Sequence, residues 1–410
     1  MATFSAVRSQ AYIVASKRTA FGAFGGKLKD LKASELGGLA GKAALATLPK
    51  DTQVDSVIFG SVQQTDNSGA YLARHVGHLS GIPVTVPALT VNRLCGSGFQ
   101  SVVNAVQEIQ VGESHVVLTG GTENMSMAPY TLHGVRFGNT RYGVDQKLVD
   151  SLAAALTDQV PGGQPGLAPT PMGVTAENLA QKYGITREQC DAYALRSQQR
   201  WAAAQESGAF TDEIVPVELR GRKGNEFFST DEHPRPTATL ESLAKLPSVF
   251  IKQTGAVSAG NASGIGDGAA ANVVASEEAC QRHSYGLPKL ARIVSYGISA
   301  CEPRIMGIGP VEAIKTALAR SGLKKDDIDI WDINEAFAAQ WLVVQKELEL
   351  PDEKSNIFGG AIALAHPLGA SGARILANLT HNLRRLEKKY AVGAACIGGG
   401  QGIAVILERI

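Results

Sequence analysis

Cysteine is scarce in this sequence and nowhere clustered. Its 410 residues hold five thiols, Cys95, Cys190, Cys280, Cys301 and Cys396. The number is odd and no CxxC spacing occurs, so neither a disulfide framework nor a zinc site is suggested, and a reducing compartment fits better. An excess of one charge sign is also missing: 39 Lys and Arg stand against 38 Asp and Glu, a formal net charge of +1. That speaks against a protein built to coat nucleic acid, and any anion it binds must be held by a local basic patch. Long apolar runs are lacking too. The uncharged stretch from 391 to 407 is broken by five glycines and Gln401 and makes a poor membrane helix. The first residues have neither the apolar core nor the cleavage site of a secretory signal, and the final ERI is not a peroxisomal address. No acidic residue precedes Asp30, so the start reads either as a basic leader that permits mitochondrial import or as an ordinary strand ending at Lys17 and Arg18.

Apolar residues make up 44% of the chain, enough for large cores, and the length suggests roughly two to three domains. Short apolar runs at 11 to 15 and 54 to 59 flank a helical pattern at 34 to 48, and 115 to 121 reads as a further buried strand. Together they predict an α/β unit with buried parallel strands. From 124 to 251 the alternation stops. Pro161, Pro165, Pro169 and Pro171 break a loop, read as an exposed loop or lid, and charge-rich helical stretches follow from 175 to 208. The alternation resumes at 255 to 276, and the second half then repeats the first. Residues 36 to 62 and 310 to 336 share the order amphipathic helix, polar turn, Asp-led apolar strand, while LCGSGFQS (94 to 101) is echoed by HPLGASGA (366 to 373). The reading is therefore a duplicated unit, 1–123 with 252–279 and 280–410, carrying an inserted domain at 124–251.

Cys95 stands where an apolar segment gives way to a helical pattern. Unpaired backbone N–H groups and the helix dipole would lower its pKa and make it a nucleophile; a small buried core thiol is the other reading. His366 occupies the corresponding loop of the second copy, where a neutral imidazole could accept the thiol proton. Cys396 opens CIGGGQG (396 to 402), whose glycines let backbone N–H groups approach a developing oxyanion, although a phosphate loop or tight hairpin would look similar. Asn334, after the strand-like IDIWDI, reads from its spacing as a helix N-cap, with a water-holding amide as the alternative.

Motifs in order over nearly the whole chain resemble the thiolases, and within them the mitochondrial 3-ketoacyl-CoA type: RTAFGAFGG (18 to 26), NRLCGSGFQS (92 to 101), GGTENMS (120 to 126), TAEN (175 to 178), AGNASG (259 to 264), MGIGP (306 to 310), NEAFA (334 to 338), GGAIALAHPLGASGAR (359 to 374) and CIGGGQG. The resemblance implies duplicated βαβαβαββ units in five αβαβα layers with an inserted, CoA-binding loop domain. It implies thiolytic cleavage of 3-ketoacyl-CoA in fatty-acid β-oxidation, with coenzyme A as co-substrate and neither a metal nor a covalently bound cofactor. Cys95 then resembles the nucleophile, His366 its base, and Cys396 the second acid/base. Asn334, through a water and with His366, is similar to the enolate-side oxyanion hole, and the N–H groups of Cys95 and Gly398 to the acyl-side hole. Arg235 and Ser242 match CoA contacts, Ser263 and Met306 resemble pantetheine neighbours, and Phe337 is placed with them in the substrate site. A homodimer or homotetramer in the mitochondrial matrix is implied, with the cytoplasm as the other location, and neither a nucleic-acid partner nor a membrane span.

The sequence also departs from the family pattern. Pro171-Met172-Gly173 replaces the His-Met-Gly usual in acetoacetyl-CoA biosynthetic enzymes, favouring a degradative enzyme with a roomier acyl pocket. Ala365 stands for the usual glycine before the histidine, Phe358 for an asparagine and Ala20 for a proline. Two alternatives remain open: an acetoacetyl-CoA thiolase working in the condensing direction, and a non-catalytic acyl-CoA-binding protein in which Ala365 has disabled His366.

Overall fold

The computed structural model describes residues 10–138, 141–158, 169–221, 224–282 and 286–410. The basic leader (1–9), most of the proline loop (161–168) and residues 222–223 of the insertion lie outside them.

In the first half the apolar runs become β1 (Ala11–Thr19), α1 (Ala33–Leu45), β2 (Ser56–Gly60), α2 (Leu72–Leu79), β3 (Ala88–Val91), α3 (Ser97–Val111) and β4 (Val116–Asn124). The insertion contributes α4 (Met172–Tyr183) and α5 (Arg187–Glu206), after which β5 (Gly266–Ser276) returns through the core with every residue buried. The second half carries β6 (Ala291–Ala300), α6 (Gly309–Ser321), β7 (Ile330–Ile333), α7 (Ala338–Leu348), α8 (Leu368–Arg385), β8 (Tyr390–Ile397) and β9 (Gln401–Arg409).

The strand order β1-β5-β4-β2-β3 matches β6-β9-β8-β7, and a parallel bridge from Trp331 to Ser355 stands where β3 would have its copy. The duplication is therefore structural as well as sequential. The predicted parallel strands are present: β2 pairs parallel with β3 and β4, and β1 runs in the same direction as β4; β5, to which the sequence assigns no direction, is inserted antiparallel between β4 and β1. Continuous apolar runs report burial on both faces and carry no direction. β5 enters after the long insertion, free of the crossover that forces parallel pairing. The two half-sheets also join into one eleven-stranded sheet through two residue pairs of β1 and β6, Tyr12 with Arg292 and Ile13 with Ala291.

Five layers result, in the order α1 and α2, first half-sheet, α3 and α8, second half-sheet, α6 and α7. The middle layer positions the site. From Leu368 to Thr380 every residue of α8 is buried, and Phe99, Val102 and Val106 of α3 share one apolar cluster with Ile375 and Leu379. The two helices touch backbone to backbone: a Cβ on Gly98 would lie 2.4 Å from Ala373 N, and one on Gly372 would lie 2.5 Å from Phe99 N. Only glycine at both places lets the helix starts approach this closely. The insertion is pinned to the core by Arg18 at the end of β1, whose buried guanidinium binds Glu213 at 2.6 Å and Asp231 at 2.7 Å. Among the described residues no helix is long and apolar enough to cross a membrane.

Candidate active site

Cys95 sits just before Gly96, the N-cap of α3, on a turn that no apolar periodicity announces. Leu94 has φ of 46°, and its N–H donates to Asn92 Oδ1 at 2.9 Å while its carbonyl accepts from Ser97 Oγ at 2.7 Å. A left-handed leucine is a sparsely populated conformation that surrounding contacts must hold. The thiol is half-buried. Here the expected lowering of its pKa is overturned. Burial comes first and pushes the thiol up to about 11, and nearby Glu123 adds to the rise. The N–H groups of Gly398 and of Cys95 itself pull the other way without prevailing. Desolvation of a thiolate in an apolar pocket outweighs two backbone dipoles, so this cysteine needs a base.

His366 provides one. Its ring is buried, with Nδ1 2.6 Å from Ser371 Oγ, which in turn donates to the carbonyl of Pro367 at 2.9 Å. The serine proton is thereby committed, so Nδ1 carries the ring hydrogen and Nε2 keeps its lone pair. Nε2 faces the Asn334 amide nitrogen at 3.3 Å. Burial, reinforced by the positive charge of Arg374, lowers the imidazole to about 4, which keeps it neutral and able to accept a proton at pH 7.

Ala365, one residue earlier, has φ of 77° and ψ of 171°, a region populated almost only by glycine. Its methyl fits because Gly266 faces it; a Cβ there would lie 2.7 Å from the Ala365 Cβ. The His366 hydrogen bonds are intact beside it, so the substitution does not displace the ring. Strain of about 2 kcal/mol is offset by roughly 0.7 from glycine's freer unfolded chain and about 0.8 from the buried methyl. Ala365→Gly should therefore raise stability by only about 0.5 kcal/mol and leave kcat within about threefold. Denaturant melts and steady-state rates check both; a hundredfold gain in kcat would mean that Ala365 disables the histidine.

Cys396, next to last in β8, is fully buried, and burial, then the neighbouring Cys95, drives its pKa well above the usual thiol range. It is a protonated thiol, suited to give a proton before taking one. Gly398 follows in the β8 to β9 turn, where Gly399 and Gly400 have φ of 76° and 81°. A Cβ on Gly400 would lie 2.2 Å from the Cys301 carbonyl, so the run meets turn geometry as well as aiming the Gly398 N–H at the Cys95 sulfur. Asn334 is not the N-cap its spacing suggests. Phe337 caps α7 without a side-chain bond, and Asn334 is buried against His366 with its Oδ1 lacking a protein partner among the described residues. An amide in that position can hold a water.

Cys95 and His366 open into a cavity of about 430 Å³. Ser263, Met306 and Phe337 line it, and Cys396 packs directly behind Met306 and Ala336. Arg235 and Ser242 are not among its walls. The exposed Arg235 guanidinium donates to the carbonyls of His233 and Pro234 at 2.7 and 3.2 Å, and Ser242 bonds Thr239 at a short helix start. Arg235 nonetheless lies two residues from His233, whose ring fills the space beside the cavity-lining Gly264. Met125, Leu156, Phe250 and Leu368 also form walls, and periodicity could mark them only as apolar. Ser371 was legible as a small polar residue on the buried α8, but its partner was not.

A family model described as thiolase, N-terminal domain, matches residues 11–278, and one described as thiolase, C-terminal domain, matches residues 287–409. The mitochondrial 3-ketoacyl-CoA thiolase of Mus musculus is 56% identical over 400 residues, 97% of this chain and 98% of its own. A beta-ketothiolase of Cupriavidus necator is 48% identical over 97% of this chain and 98% of its own. The crystal structure of human mitochondrial 3-ketoacyl-CoA thiolase superimposes with a TM-score of 0.94 at 56% identity, covering 99% of this chain and 100% of that one. The same human enzyme in complex with CoA gives 0.93 at 55% identity, over 100% of both chains.

Proposed function

The chain belongs to the thiolase family, and from that premise we propose that it cleaves a 3-ketoacyl-CoA with free CoA into acetyl-CoA and an acyl-CoA two carbons shorter. The carrying observation is that the Cys95 thiol and the His366 imidazole open into one apolar cavity, with Cys396 and the Gly398 N–H immediately behind. His366 Nε2 takes the Cys95 proton and the sulfur attacks the 3-keto carbon. The resulting oxyanion lies toward the N–H groups of Cys95 and Gly398. The C2–C3 bond then breaks to leave an acyl-Cys95 thioester and the enolate of acetyl-CoA. The protonated His366 and a water held by Asn334 stabilise that enolate, while Cys396 protonates its carbon. The Cys396 thiolate next deprotonates incoming CoA, whose sulfur takes the acyl group, and Cys95 leaves with the His366 proton. Each step balances with groups of this chain and the two CoA substrates.

The cavity continues past Cys95 along Met125, Ala153, Leu156, Ile265 and Leu368, an apolar wall that suits acyl chains beyond four carbons. Steady-state thiolysis of 3-ketoacyl-CoAs of graded length should give kcat/KM on medium chains at least equal to that on acetoacetyl-CoA. A strict four-carbon preference would replace this reading with an acetoacetyl-CoA thiolase. Ser263, Met306 and Phe337 would flank the pantetheine arm, and Arg235 and Ser242 the nucleotide end outside the cavity. We divide the chain into an N-terminal unit (1–123 with 252–279), the insertion (124–251) and a C-terminal unit (280–410); the two matched family domains support the boundary near 280, and the gap in the sheet between β4, ending at Asn124, and β5, starting at Gly266, supports the insertion. The open outer edge of β3, with Leu89 47% exposed, supports pairing with a second copy as a homodimer or homotetramer, and the mitochondrial relatives support a matrix location.

A further inference from the structure

Glu123, in the GGTENMS stretch, ends in the middle of the molecule without solvent contact. One carboxylate oxygen accepts from Val62 N–H at 3.0 Å and Gly369 N–H at 2.9 Å; the other accepts from Gln63 N–H at 3.0 Å. Two donors are consecutive in the loop after β2 and the third is on α8, and their onward bonds lead to three parts of the site. Gly369 is in the first turn of α8, whose N-cap, Pro367, makes no side-chain bond, so Glu123 on β4 caps in trans the helix that starts just behind His366. Val62 leads to the cysteine loop: its carbonyl accepts from Asn92 Nδ2 at 3.0 Å, and Asn92 Oδ1 holds Leu94 N–H. Gln63 reaches the insertion, donating from Nε2 to the Ser151 carbonyl at 3.0 Å ahead of the cavity-lining Ala153.

We propose that Glu123 is a positioning residue for thiolysis, a single buried carboxylate that locks the Cys95 loop, the helix start behind His366 and the acyl wall of the insertion into one frame. This rests on the reading of Cys95 and His366 as the reacting pair. Hydrophobic contacts alone could hold these parts, but a buried carboxylate with three N–H donors fixes direction as well as distance. The charge has a second consequence, because it raises the pKa of the Cys95 thiol. Burial first, and then the charge of Asp267, raise Glu123 itself to about 7, so it carries its charge at pH 8.5; His366 and Arg374 face the frame from the α8 side.

The test uses Glu123→Gln and Glu123→Asp in the full chain. In Glu123→Gln, an amide NH2 must face an N–H donor and the frame loosens, so kcat should fall about 100-fold, the size of a displacement on the order of 1 Å at the reacting centre. With the negative charge gone, iodoacetamide should meanwhile alkylate Cys95 several-fold faster at pH 8.5, the pH at which the charge suppresses the thiolate. Glu123→Asp keeps the charge but shortens the reach, so kcat should fall about tenfold with alkylation within twofold of wild type. General structural damage would not separate the two variants in this way. Wild-type kcat in either folded variant, or equal alkylation changes in both, would overturn the proposal. Alkylation requires no substrate, so an enzyme that failed to thiolyse any 3-ketoacyl-CoA would sink the functional reading and leave this test standing.

Discussion

Cys95→Ala should lower kcat for thiolysis by about 10⁵-fold or more, the scale on which removing a covalent nucleophile acts. The fold should survive. The side chain is half-buried and small, and the turn beneath it is held by Asn92, Leu94 and Ser97 rather than by sulfur, so unfolding stability should change by no more than about 1 kcal/mol. Binding of CoA in the apolar cavity should persist. A variant retaining even one per cent of wild-type turnover would show that the acyl group travels by another path.

His366→Ala should cost about 10³- to 10⁴-fold in kcat, near the upper range for a positioned general base. The direction of its pH dependence is set by the two pKa values. In the wild type the imidazole, lowered to about 4, is neutral, and above pH 8 Glu123, raised by burial to about 7, carries its charge, so from pH 8 to 9 the rate should change little. In the variant only the spontaneous thiolate of a thiol near 11 can react, and below that value its fraction rises about tenfold per pH unit. The residual rate should therefore climb about tenfold from pH 8 to 9 while the wild type stays nearly flat. Parallel profiles would remove His366 from the role of base.

The sequence identifies this site where chemistry and repetition coincide. Cys95 and His366 occupy equivalent loops of a duplicated unit, and the structure brings those loops together through the Gly98 and Gly372 contact. Layers and family were also legible, because their signals are long buried runs and many ordered motifs. The features that escaped depend on neighbours distant in the chain. Two local dipoles at the helix start favour an acidic Cys95, but the pocket that desolvates the thiol has the larger effect, and it is assembled from residues distant in the chain. Asn334 looked like a cap because spacing shows only its neighbours along the chain, whereas its partner is His366, 32 residues later. The left-handed Leu94 and Ala365 carry no compositional mark. Glu123 was visible only as a letter in a matched motif; its three N–H partners come from residues 62, 63 and 369. The direction of β5 was hidden because apolar runs read the same both ways.

The central claim is the acyl-Cys95 thioester. Incubating the protein with a 3-ketoacyl-CoA in the absence of free CoA, then digesting it for mass spectrometry, should add the mass of the shortened acyl group to the Cys95 peptide and to no peptide carrying Cys190, Cys280, Cys301 or Cys396; adding CoA should remove it. An unmodified Cys95 in protein that still turns over the substrate would contradict the account.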